Sequence, residues 1–211
     1  MKFSLAATAI FALASTSSAA SFIQRRASTA VGTVNGSIGT VQATIPTYLS
    51  NIQSSVAVIK GEANVYTALA QAAIAAIEGS AGNVTAALNA ATLNILGATT
   101  TALGDINTRA AILVQSDVDL LAKDLQMVVT IIRGINATVS VVHADLDATA
   151  NSLVQGEITA LTAALQPFVI PVTTFATAAA AFSVTASVTG LRAALNSLIT
   201  IAGGIYATLG I

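Results

Sequence analysis

The chain has 211 residues, 55% hydrophobic but only 8% charged and 4% aromatic, with no cysteine and a formal net charge of −1. An apolar mass made mostly of Ala, Val, Ile and Leu favours helices over strands, and the length is enough for one sizeable domain with its own core. So few basic residues exclude the electrostatic footprint of a nucleic-acid binder or of a protein held on acidic lipid headgroups, and without cysteine the fold must rest on packing alone.

The first residues, MKFSLAATAIFALASTSSAASFIQRRA, follow the three-part pattern of a secretory leader. Lys2 supplies the basic start, residues 3–14 an apolar stretch too short for a stable membrane span, and Ser17 and Ala19 the small residues that place cleavage after Ala19. We expect residues 1–19 to be a signal peptide, 20–26 a propeptide ending in the dibasic pair Arg25-Arg26, and 27–211 a single helical-bundle domain. The plainer reading of Arg25-Arg26 is two solvated arginines. Beyond residue 26, five basic residues stand against nine acidic ones.

Helical periodicity then dominates. Val31, Val34, Ile38, Val41, Ile45, Tyr48, Ile52, Val56 and Ile59 keep one phase across Pro46, which predicts a kinked helix. A helix near 62–78, stopped by EGSAGN at 78–83, precedes one near 84–114 with Val84, Leu88, Leu96, Thr99, Leu103, Ile106, Ala110 and Leu113 on one face. From Val118 a seam runs through Leu121, Leu125, Val128, Ile132, Ile135, Val139, Val142, Leu146 and Thr149 to Leu153 in steps of three and four. Leu120, Met127 and Val141 add a second stripe, so this helix should touch more than one partner; Ser116 and Asp119 resemble a capping box at its start. The seam then slips to Val154, Ile158, Leu161 and Leu165 and meets Pro167. A last helix, 188–209, carries Val188, Leu191, Leu195, Leu198, Ala202, Ile205 and Leu209. No window alternates with the period of two that a strand needs, so the expected fold is an all-α bundle of long antiparallel amphipathic helices.

Residues that carry chemistry are scarce. His143, the one histidine, lies in HADLD with Asp145 and Asp147; on a helix His143 and Asp147 would share a face while Asp145 points away, which is too few ligands for a metal. No G-x-S-x-G presents a nucleophilic serine. Asp117 and Asp119 suit the acidic first turn of a helix. Neither a catalytic site, a metal nor a cofactor is expected. Three Asn-X-Ser/Thr sequons, at Asn35, Asn83 and Asn136, are candidate glycosylation sites on a secretory route.

The stretch FVIPVTTFATAAAAF, 168–182, holds every phenylalanine beyond residue 26, and no charge lies between Glu157 and Arg192. Seven residues make nearly two helical turns, so Phe175 and Phe182 share a side with Val172 and Ala179; Phe168 joins them only if Pro171 is a kink or a first-turn residue. Two prolines and frequent threonines argue against a membrane span. Two readings remain: a core seam, or an apolar ligand lining made by Phe168, Val172, Phe175, Ala179 and Phe182, in which rings among alanines leave room for a fatty chain. Each buried methylene of such a chain contributes about 0.8 kcal/mol.

The opening ASTAVGTVNGSIGTVQATI and the closing LRAALNSLITIAGGIY, joined by cysteine-free Ala/Thr/Val-rich helices behind a leader and a dibasic site, resemble the fungal hydrophobic surface-binding protein A family, related to cell-wall galactomannoproteins. The resemblance implies a secreted or wall-associated helical bundle that adsorbs to hydrophobic surfaces or encloses fatty acids and helps recruit secreted esterases. It does not extend to the long Ser/Thr-rich stalk of the wall-anchored members. The expected function is therefore a secreted, extracellular or cell-wall, non-enzymatic protein that binds hydrophobic surfaces, lipids or fatty acids, without a transmembrane segment in the mature chain. The alternative is a structural wall or coat protein that assembles through its helices.

Overall fold

Helix follows helix along the chain: α1 (Ser4–Gly61), α2 (Ala68–Asn107), α3 (Gln115–Asp145), α4 (Ala148–Ala163), α5 (Leu165–Phe182) and α6 (Thr189–Leu209). The computed structural model describes residues 4–107, 113–182 and 187–210, with side chains for 28–101, 113–181 and 187–210. Among the described residues there is no strand, and the expected all-α bundle is what forms.

The three-and-four spacing of apolar residues decides which face of each helix is buried. On α1, Val31, Val34, Ile38, Val41, Ile45, Ile52, Val56 and Ile59 are all buried, and the helix passes through Pro46 without ending. Tyr48 is only half-buried; Leu49 takes its place in the core. Thr67 starts α2 by accepting the Ala70 N–H at 3.1 Å, so the segment 62–67 is a tight reversal and α2 runs antiparallel to α1. Four side-chain bonds fix α3 alongside α1. Ser28 Oγ donates to Asp117 Oδ2 at 2.7 Å, Asn35 Nδ2 to Asp124 Oδ1 at 2.7 Å, Gln53 Nε2 to Thr138 Oγ1 at 2.9 Å and Lys60 Nζ to Asp145 Oδ1 at 2.8 Å. Residue numbers rise together on both helices, so α1 and α3 are parallel. Each half of the seam repeats after seven residues, as in a coiled coil.

α4 runs on into α5 as one rod through the helical Ala164, and the start of α6 meets the start of α3, where Gln115 Nε2 donates to the Ser187 carbonyl and the Ser187 N–H donates to Gln115 Oε1. α1 packs on α2 and α3, α2 on α4 and α5, and α6 on α3 and α5, which closes a ring around one contiguous cluster of buried side chains. Threonines within the helices return their hydroxyls to the carbonyl four residues back, as Thr33, Thr85, Thr99 and Thr208 do, so polar atoms are satisfied without opening the packing. Gly210 closes α6 in the left-handed conformation, φ 72°, and its N–H donates to the Tyr206 carbonyl.

Four further expectations need correction. The predicted break at 78–83 does not occur, because Gly79 and Gly82 sit inside α2 while Ser80, Ala81 and Val84 are buried and hold the turn against its neighbours. On α2, Leu96 is exposed and Ile95 is the buried residue, in phase with Leu88 and Thr99. The seam from Val118 to Leu153 belongs to two helices: the chain leaves α3 at Asp145 and starts α4 at Ala148, with Asp147 Oδ1 accepting the Ala150 N–H at 2.7 Å. Thr149 and Leu153 are consequently exposed, and Ala150, Val154, Ile158 and Leu161 form the new buried face. Finally, Ser116 caps nothing; Val114 stands at the cap position, and Gln115 Nε2 donates to Asp119 Oδ1 at 2.8 Å.

Candidate functional site

Pro167 decides where the phenylalanine stretch begins. Its ring cannot donate to the Ala163 carbonyl and would clash with it, and the helix breaks there, α4 ending at Ala163 and α5 starting at Leu165. Pro171 then lies inside a continuous α5, so Phe168 does share a face with Phe175. Both rings are 0% exposed, Ala179 is likewise 0% and Val172 2%. They belong to the contiguous core, among Leu165, Val169, Ala176 and Ala180. The side chain of Phe182 lies outside the described residues. As large, fully enclosed side chains they fill the space that the alanines leave. Open volume lies elsewhere.

That volume lies along α1. Small residues face one another across the α1–α2 seam, and two grooves follow it. One, of about 420 Å³, is lined by Thr29, Ala30, Thr33, Leu93, Gly97 and Ala98, among others. The next, of about 290 Å³, shares Thr33 and Asn94 with the first and continues past Gly36 and Ala90 to Val41. No ionisable residue lines either groove. Residues 29–41 span roughly 18 Å at the helical rise, so together the two grooves form a shallow trough of that length. Gly36 and Gly97 are exposed, and an added methyl at either would meet nothing within 4 Å. Leu93 stands on the rim 71% exposed, with Leu96 one turn on at 47%. The sequence pattern missed this trough because small residues at helical spacing also mark close helix packing; only the facing pairs of Ala, Gly and Thr on two antiparallel helices create it.

Further along α1 the surroundings turn polar. Tyr48, Asn51, Ser54, Ser80 and Asn83 line a groove of about 430 Å³ on the α1–α2 seam. On the α1–α3 side, about 300 Å³ opens beside Pro46, lined by Gln42, Leu49, Gln53, Ile131 and Gly134; a methyl on Gly134 would come to 3.2 Å from Leu49 Cδ1.

The candidate sequons have three different settings. Asn35 is half-buried and commits its amide to Asp124 across the α1–α3 seam. Asn136 has its Oδ1 sealed from solvent without a partner, and Thr138 of its sequon is fully buried and bonded to Gln53. Asn83 is exposed. Asp124 itself is 1% exposed; its Oδ2 has no partner, and burial pushes its carboxyl up to about 6 against the lowering effects of the Asn35 bond and of Lys123.

His143, Asp145 and Asp147 do not share a helical face, because the chain turns between α3 and α4. His143 is exposed with Nδ1 3.3 Å from Asn151 Nδ2, Asp145 pairs with Lys60, and Asp147 caps α4. Among the described residues, no three His, Asp or Glu side chains gather as a metal site. α3 and the α4–α5 rod, 148–181, are each long and apolar enough to cross a membrane, with about half of the most apolar window buried in the bundle. Family models, curated proteins and solved structures were all compared with the chain, and none matches it.

Proposed function

We propose that this is an extracellular, non-enzymatic binder of apolar molecules, and that the α1–α2 trough is where a fatty chain or an oily surface meets it. One observation carries the reading: a charge-free trough of small residues, with uncrowded glycines along it and Leu93 exposed on its rim. An alkyl chain needs no more than this, since each methylene it withdraws from water contributes about 0.8 kcal/mol. The leader-like first 19 residues and the resemblance to hydrophobic surface-binding proteins support the same reading from the sequence side.

A fluorescent fatty acid, displaced by unlabelled fatty acids, tests the proposal alongside adsorption to hydrophobic polymer beads. Leu93→Asp places a carboxylate on the rim and should weaken fatty-acid affinity at least tenfold, while stability stays within about 0.5 kcal/mol of the parent because the site is exposed. Unchanged affinity in this variant, or no binding by the parent to either probe, removes the proposal.

A further inference from the structure

The three sequons are equivalent as motifs and unequal as places in the fold. An N-glycan needs its asparagine amide nitrogen directed to solvent and space beside it for the first sugar. Asn35 offers neither: its Nδ2 lies 2.7 Å from Asp124 Oδ1, and Asp124 is all but sealed between α1 and α3. Asn136 sits with its amide oxygen enclosed, two residues before a fully buried threonine. Asn83, by contrast, is exposed on α2 and opens onto the polar groove, where Tyr48 supplies an aromatic face and Asn51, Ser54 and Ser80 supply hydrogen-bonding groups. The other grooves along the α1–α2 seam are lined mainly by Ala, Gly and Thr.

We infer that Asn83 is the N-glycosylation site of this protein, and that the groove between Tyr48 and Ser80 seats the first sugar. The inference rests on the proposed secretory route. The donor would be an oligosaccharide linked to a polyprenyl diphosphate. Asn83 Nδ2 forms the bond to C1 of the reducing-end sugar as the C1–oxygen bond to the diphosphate breaks. The polyprenyl diphosphate leaves with the bonding electrons, and Nδ2 loses one proton to solvent. Thr85 completes the motif with its hydroxyl, which in the folded chain donates to the Ala81 carbonyl at 3.0 Å. Placed there, the glycan covers the polar half of the α1–α2 seam and leaves the apolar trough near Leu93 free.

The full chain, expressed in a eukaryotic secretory host, is to be measured by intact mass before and after enzymatic release of N-glycans in heavy-oxygen water, which marks each released asparagine as a labelled aspartate. One glycan, with the label at residue 83, is expected; Asn83→Gln and Thr85→Ala each abolish it, while Asn35→Gln and Asn136→Gln keep it. Label at residue 35 or 136, or secreted protein with no sugar, overturns the assignment. To separate this from a failure of the leader, the full chain is also placed behind a leader of the host. Glycan at Asn83 in that arm alone would remove the secretory reading of residues 1–19 and keep the site; absence of glycan in both arms removes the site.

Discussion

The Phe168–Phe175 face of α5 and the α1–α2 seam are built from similar ingredients and end in opposite states. On α5, two large rings lie with Val172, Ala176 and Ala179 on one buried face, and both phenylalanines are fully enclosed. Between α1 and α2, alanine, glycine and threonine face their own kind, and nothing large is left to fill the gap around Thr33, Asn94 and Gly97. Small residues beside large ones make a core; small residues on both sides make a trough. The aromatic stripe is enclosed, and the open space lies along α1.

The largest expected effect comes from cutting into the filled side. Phe175→Ala leaves a cavity in a core that can collapse only in part, and denaturant unfolding should show a loss of about 3–5 kcal/mol. A loss below about 1 kcal/mol would mean that the ring faces open space after all, and the contrast between the two regions would fail.

A smaller effect sharpens the contrast by probing a third seam, the polar one between α1 and α3. Asp124 has its carboxyl raised from 3.8 to about 6 by burial, so the folded chain favours its protonated form. The corresponding stability is present in full below about pH 4 and is lost as pH rises through about 6. Ion pairs elsewhere titrate too, so the useful quantity is the difference from Asp124→Asn. The two proteins should match near pH 4 and diverge in favour of the variant by on the order of 2 kcal/mol above pH 7, after allowance for solvent screening. A difference that does not vary with pH would show that Asp124 is charged and satisfied in the folded state.

Much of this architecture was legible beforehand because helical burial leaves a period that a sequence records directly. The seam of α1 from Val31 to Ile59 survives Pro46 in both sequence and structure, since its buried positions keep their phase across the proline. The end of α3 was visible only as a one-residue slip at Val154; apolar residues at Leu146 and Leu153 preserved the spacing by coincidence while the chain turned at Asp147. Gly79 and Gly82 misled in the other direction, because a glycine's cost within a helix, about 1 kcal/mol, is easily offset when Ser80, Ala81 and Val84 are packed. The trough was not legible at all. It depends on which helices become neighbours, and periodicity reports the buried face of a helix without naming its partner.

The smallest change in stability accompanies the most decisive measurement. Gly97→Leu adds a side chain at an exposed helical position where the new Cβ would meet nothing within 4 Å, so it should leave folding unaltered or improved by up to about 1 kcal/mol. Fluorescent fatty-acid displacement with this variant and with Phe175→Leu, side by side, separates the two regions. The account predicts that Gly97→Leu loses affinity at least tenfold while Phe175→Leu retains it; full affinity in Gly97→Leu together with its loss in a folded Phe175→Leu would return the binding site to the phenylalanines and contradict the account.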